Sequence, residues 1–248
     1  MGIVTINAWA VGGFTRGAAD YDRARPGYPS QAVELLGLAP GKTVVDVAAG
    51  TGKLTRLLAG SGARVVAVEP LDAMRELIPR DRVEILAGTA EALPLPDGSA
   101  DVVTVAQAFH WFRAEDALRE IHRVLRPGGS LALLRNRRDP GDPVQREFEL
   151  VLARRRSHPS LDAGFDAEAT LNRSGLFAAP ELHTFDHAQE LDREGLVAQA
   201  ASESSIALLE GEAGTAALAE FARLADSLPP RFELRFTTEV LLATTIRR

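Results

Sequence analysis

The segment Val44-Val45-Asp46-Val47-Ala48-Ala49-Gly50-Thr51-Gly52 constrains the fold of this chain more than any other stretch. The β-branched run from Thr43 to Ala48 reads as a buried strand. It passes through two glycines into a helical pattern, Lys53 to Ala59. Glycine permits positive φ and lets backbone N–H groups approach a ligand, and the helix N-terminus that follows favours negative charge. Glu69 lies seventeen residues after Gly52, at the end of the next buried strand, Arg64 to Val68. An acid there is placed to accept hydrogen bonds from both hydroxyls of an adenosine ribose.

The alternation continues along the chain. A short helix, Gln31 to Leu38, precedes the first strand and ends at Pro40-Gly41. After Glu69 come a helix from about Leu71 to Leu77 and the strands Val83 to Leu86 and Asp101 to Ala106. An amphipathic helix, Glu115 to Leu125, and a fifth strand, Ser130 to Leu134, follow. Strands separated by helices imply a parallel, doubly wound α/β sheet with ligands at the carboxyl ends of its strands.

Beyond Asn136 the pattern changes. Arg137 to Pro143, charged and broken by two prolines, reads as a linker. Helices are expected over Val144 to Arg156, over Ala167 to Ser174 and through most of Leu191 to Leu228. Glu181 to His187 reads as a sixth strand and Phe232 to Ile246 as a final one. The division expected is an arm over 1–29, a cofactor-binding core over 30–136, and a helical lid with the last two strands over 137–248.

Composition excludes several classes. The chain has 248 residues, no cysteine and a formal net charge of -6. Disulfides and thiolate chemistry are excluded, a cytoplasmic setting is expected, and the acidic balance argues against a nucleic-acid enzyme. The basic cluster Arg154-Arg155-Arg156 reads as a solvated helix face. No apolar run approaches the roughly 20 residues of a membrane span, and Met1 to Ala10 lacks the basic start of a secretory signal. No Gly-x-x-x-x-Gly-Lys-Ser/Thr occurs, so a nucleotide-triphosphate loop is excluded. A dinucleotide fingerprint would want a small residue at Thr55, which weakens a nicotinamide reading without removing it.

Four motifs in order resemble the class I S-adenosylmethionine-dependent methyltransferases, in particular the branch of quinone-biosynthesis and trans-aconitate methyltransferases. They are Asp46-Val-Ala-Ala-Gly50-Thr-Gly52, Glu69-Pro70, Thr89-Ala90-Glu91-Ala92-Leu93-Pro94 with Asp101, and Arg123-Val-Leu-Arg-Pro127-Gly128-Gly129. The resemblance runs from Phe14 to Leu134, about half the chain, with a looser echo from Glu181 to Leu209. It implies a Rossmann-like, mostly parallel seven-stranded sheet with an antiparallel last strand, a helical lid insertion and S-adenosyl-L-methionine as cofactor. S-adenosyl-L-homocysteine would be the product, and a small molecule the methyl acceptor.

The resemblance also implies roles. Asp46 acts near the cofactor's methionine end, and Gly50 and Gly52 give backbone room, with Ala48 and Thr51 on the same loop. Glu69, beside Pro70, holds the ribose, and Ala90, between Thr89 and Glu91, contacts the adenine by its amide. Tyr21 and Arg25 bind the methionine carboxylate. Two departures stand out: alanine replaces the usual glycine at Ala48, which should fit with a negative φ, and Thr89 replaces a usual Asp.

Methyl transfer from a sulfonium is an in-line displacement that needs alignment more than catalytic side chains. The base, where one is needed, is His110 in Gln107-Ala-Phe109-His110-Trp111-Phe112, just past the fourth strand. The same residues also read as an aromatic wall in which His110 and Trp111 line the acceptor site, and Gln107 reads as a contact to cofactor or substrate. His122, His158, His183 and His187 lack the spacing of metal ligands, so no metal is expected. A nicotinamide-dependent oxidoreductase and a non-catalytic or non-methylating S-adenosylmethionine-binding protein stay open as alternatives.

Overall fold

The computed structural model describes residues 24–155, 165–207, 209 and 211–246. Seven strands form one sheet: β1 (Thr43–Val47), β2 (Arg64–Val68), β3 (Val83–Leu86), β4 (Ala100–Ala106), β5 (Leu125–Arg138), β6 (Glu181–Leu191) and β7 (Phe232–Thr244). Their spatial order is β3-β2-β1-β4-β5-β7-β6. The register is parallel across the first five, with Val45 beside Val66 and Val103, and Val103 beside Leu131. β7 runs the other way. Ser130 meets Thr244 and Asn136 meets Thr238 on its β5 side, while Asp186 meets Thr237 and Glu190 meets Arg231 on its β6 side. This is a Rossmann-like sheet with an antiparallel last strand.

The chain divides into two compact units. One, the sheet core, takes Tyr28–Arg137, Gly164–Phe185 and Thr238–Arg248. In it β1 is buried along its whole length, so alternate side chains serve opposite faces. Val45, Val66, Val103 and Leu131 pack with Leu118 and Ile121 of a helix, α4 (Ala114–Val124). Val44, Val65 and Val102 pack with Val33 of α1 (Ser30–Glu34) and Leu54 and Leu58 of α2 (Lys53–Ala59). α3 (Asp72–Arg75) is a single turn. After β3 the chain returns to the far side of β1, which makes the carboxyl ends of β1 and β4 the switch point of the sheet. α6 (Ala167–Ser174) is capped by Asp166, whose carboxylate accepts the Ala169 N–H at 2.8 Å.

The other unit takes Met1–Gly27, Arg138–Ala163 and Asp186–Thr237. Its described helices are α5 (Pro143–Arg155), α7 (Arg193–Ala201), α8 (Ser204–Ala207) and α9 (Gly211–Asp226). Phe148, Leu152, Leu196, Ala200, Ala217, Phe221 and Leu234 form its apolar centre, with the Phe148 and Phe221 rings 4.7 Å apart.

The boundaries differ from expectation where polar residues continue a strand. β5 runs on to Arg138, into the stretch expected to be a linker, because the Thr238 hydroxyl donates to Asn136 Oδ1 at 2.6 Å and Glu239 pairs with Arg137 at 3.5 Å. β6 continues to Leu191 with an exposed residue at every second position. The helix expected from about Leu71 to Leu77 shortens to one turn, and the helical stretch to Leu228 breaks into three helices.

Candidate functional site

The turn after β1 is held in the left-handed region at three of five positions: Ala48 at φ 54°, Gly50 at 58° and Gly52 at 82°. The negative φ expected of Ala48 is not what the backbone adopts. Positive φ puts Cβ against the following carbonyl and costs roughly 1–2 kcal/mol for a residue with a side chain. The turn is fixed from both sides, since Ala49 N–H donates to Val68 O at 3.2 Å and Gly52 N–H to Ala49 O at 2.9 Å. The two glycines do different work. A methyl group on Gly52 would lie 3.0 Å from Pro79 Cδ and 3.2 Å from Ile78 Cγ2, so that glycine lets the turn pack on its neighbours. A methyl group on Gly50 would meet none of the described residues within 4 Å, so among them that side of the turn is open. Thr51, between them, is buried, and its carbonyl accepts from Arg56 at 3.1 Å.

Glu69 stands beside this turn. It is 4% exposed, and its carboxylate accepts the Gly50 N–H on Oε2 at 2.8 Å and the Leu71 N–H on Oε1 at 2.9 Å. Burial raises its pKa above the usual carboxylate range, against the two N–H groups and the Arg75 guanidinium, which favour the charged form. Arg75 also donates to the carbonyls of Glu69 at 2.9 Å and Pro70 at 3.3 Å. Each carboxylate oxygen has two acceptor positions, and among the described residues one N–H occupies each oxygen.

Asp46 faces α2. It is 1% exposed, with Thr55 Oγ1 donating to Oδ2 at 2.6 Å and Thr104 Oγ1 to Oδ1 at 2.9 Å. Burial is the largest influence and raises its pKa to about 6, against those two hydroxyls. Thr55, expected only to be bulky, and Thr104, which sequence reasoning passed over, tie the end of β1 to α2 and β4. Both read in the sequence as ordinary β-branched packing residues.

Past β3, Thr89 Oγ1 is buried and has no hydrogen-bond partner among the described residues. Ala90 is 4% exposed and belongs to the core beneath the turn. Glu91 turns elsewhere, accepting the Arg113 N–H at 3.0 Å ahead of α4.

At the end of β4, Gln107 is exposed and has φ 56°, a second strained residue at the same sheet edge. Its N–H donates to Leu134 O at 2.9 Å and its Nε2 to Asn136 O at 3.3 Å. A 3-10 turn, Phe109–Trp111, follows. Phe109 is 6% exposed and packs edge-on to Phe112 and Phe165, with centroids 5.9 and 5.5 Å away. His110 and Trp111 stay half-buried, their rings 4.9 Å apart. Phe109 and Phe112 therefore form the packed part of the aromatic wall.

Of the two residues expected at the methionine carboxylate, Tyr21 lies outside the described residues. Arg25 belongs to the helical unit, where it donates to Ser202 O at 2.6 Å and to Glu203 Oε1 at 3.2 Å. The same Glu203 oxygen accepts from Arg138 at 2.5 Å. Among the described residues no group of three His, Asp or Glu is arranged to hold a metal ion, and no helix is long and apolar enough to cross a membrane.

Comparison with known proteins bears on the family and the fold. Residues 45–133 match the family described as a methyltransferase domain. An uncharacterized methyltransferase of Mycobacterium tuberculosis is 46% identical over 138 residues, 54% of this chain and 56% of that protein. A ubiquinone/menaquinone biosynthesis C-methyltransferase of Ectopseudomonas mendocina is 41% identical over 125 residues, 45% and 48% of the two chains. The chain thus spans about half the length of the curated relatives it matches. Among solved structures, one from Anaeromyxobacter dehalogenans, described as a candidate type II methyltransferase, superposes with a TM-score of 0.68 at 26% identity. That match covers 89% of this chain and 97% of the other. Residues 45–133, which hold the glycine turn and the buried acid at the switch point of this Rossmann-like sheet, are thus similar to a methyltransferase domain.

Proposed function

We propose that the protein transfers a methyl group from S-adenosyl-L-methionine to O, N or C of a small-molecule acceptor. The observation that carries the proposal is the Glu69 carboxylate, held by the N–H groups of Gly50 and Leu71 with one acceptor position per oxygen unused. Two vicinal ribose hydroxyls match that pair of positions. The open space over Gly50 suits close approach of a ligand, and the unpartnered Thr89 hydroxyl suits a polar edge of adenine.

The bound cofactor would supply an activated methyl group on a sulfonium, and the protein's part is alignment and exclusion of water. Glu69 fixes the ribose, the Gly50 turn fixes the chain that leads to the sulfur, and Gln107 borders the site on the β4 side. His110, half-exposed on its 3-10 turn, takes the acceptor's proton where the acceptor must lose one. Likeness to a quinone-biosynthesis C-methyltransferase and a net charge of -6 support a small organic acceptor rather than a nucleic acid.

A nicotinamide cofactor is the weaker reading. At the third small position of a dinucleotide fingerprint stands Thr55, fully buried, with its hydroxyl on Asp46. Parallel calorimetric titration with S-adenosylmethionine, S-adenosylhomocysteine and NADH tests the proposal. Binding of the first two supports it, and binding of NADH alone overturns it.

A further inference from the structure

The helical unit buries polar groups that its own atoms do not satisfy. Gln199 lies on the inner face of α7 between Leu196 and Ala200, is 1% exposed, and has no hydrogen-bond partner among the described residues for either Oε1 or Nε2. Its neighbours on that face belong to the apolar cluster of Phe148, Ala217 and Phe221. A leucine there would fill similar volume without stranding a donor and an acceptor.

A second group of such atoms is joined to it through the chain. Ser202 donates by its N–H and Oγ to the Gln199 carbonyl at 3.2 and 2.6 Å, and its own carbonyl accepts from Arg25. Ala24, next to Arg25, accepts from Gln189 Nε2 at 3.3 Å. Gln189 Oε1 is buried without a partner, as is Nε2 of His187, two residues earlier on the same face of β6. The His187 ring stacks on Phe236 at 5.6 Å, and burial lowers its pKa, against the neighbouring Asp186 carboxylate.

The unsatisfied atoms of Gln199 and Gln189 belong to uncharged amides. Glu203 takes ion pairs from both Arg25 and Arg138, and Arg138 also pairs with Glu149. A carboxylate could satisfy Gln199 Nε2 but would set oxygen against Oε1, and an ammonium group would do the reverse. A ligand that satisfies both ends carries a donor and an acceptor together and no charge.

We propose that the helical unit binds a neutral small molecule through a hydroxyl or carboxamide group, read by both ends of the Gln199 amide.

The test is titration of the full chain, without S-adenosylmethionine, with four probes that share one ring: benzamide, phenol, benzoate and benzylammonium. Binding is followed at the Gln199 side-chain amide by nitrogen-15 NMR, with that resonance assigned by its loss in Gln199→Leu. Benzamide and phenol are expected to shift it and to bind at least tenfold tighter than the two charged probes. Gln199→Leu should weaken both by at least tenfold while the ligand-free protein melts at the same or a higher temperature. The proposal is overturned if no probe binds, if the four bind alike, or if Gln199→Leu binds benzamide and phenol as the unaltered protein does. The preference among probes in the unaltered protein stands whether or not a variant folds.

Discussion

Glu69 Oε2 accepts the Gly50 N–H at 2.8 Å, which ties the turn that leaves β1 to the acid that ends β2. This bond orients a buried carboxylate and fixes a left-handed glycine at once, so both halves of the proposed cofactor site depend on it. The two glycines of the turn should then respond differently to the same change. Gly50→Ala places a side chain at φ 58° in open space and should cost about 1–2 kcal/mol of stability together with cofactor affinity. Gly52→Ala adds contact with Pro79 and Ile78 to the strain at φ 82° and should cost more, about 2–4 kcal/mol. Urea unfolding of the two variants checks the order.

Ala48 offers the opposite experiment. Its φ of 54° is one that glycine adopts without a steric penalty, so Ala48→Gly should stabilise the protein by up to about 1 kcal/mol. A loss of stability in urea unfolding would mean that the backbone there is not left-handed.

Asp46 gives a pH signature. Its pKa in the folded protein is about 6, against 3.8 for the free side chain, so the folded state holds the proton more tightly. The stability this brings is complete below about pH 4 and is lost as pH rises through 6. Asp46→Asn cannot ionise, and Thr104 can turn its hydroxyl to Val45 O, 3.5 Å away, and accept from the new amide. The variant should therefore gain on the unaltered protein between pH 4 and 7, by about 3 kcal/mol at most. Denaturant unfolding at several pH values measures the gap, and a gap independent of pH would contradict the account.

The aromatic turn separates packing from chemistry. Phe109→Ala should cost about 3–5 kcal/mol of stability, because the ring is buried against Phe112 and Phe165. His110→Ala should cost less than about 1 kcal/mol, and should lower methyl transfer about 100-fold for an acceptor that must lose a proton. Thermal unfolding and turnover, measured on both variants, separate the two roles.

How much of this was legible in the sequence follows from what each residue does. β1, β2 and β4 were plain because they are buried on both faces and so read as unbroken β-branched runs. The far end of β5 was not, because Arg135 to Arg138 pair through backbone and polar side chains, which carry no apolar period. Gly50 and Glu69 were readable as a pair because their residue types and spacing are unusual. The sign of φ at Ala48 was hidden, since alanine does not announce a left-handed turn. The partner of Arg25 was hidden too, because Glu203 lies 178 residues away and only the fold brings it near. For the same reason the two compact units, each assembled from three separate stretches, leave no mark in composition.

The most direct test of the account is calorimetric titration of S-adenosylhomocysteine into the unaltered protein and into Glu69→Ala, with thermal unfolding to confirm that the variant is folded. The account predicts one site per chain in the unaltered protein and a loss of about 1–3 kcal/mol, roughly 5- to 150-fold, in the variant. Equal affinity in the two proteins would contradict the placement of the cofactor at Glu69, and absence of binding to the unaltered protein would contradict the proposed function itself.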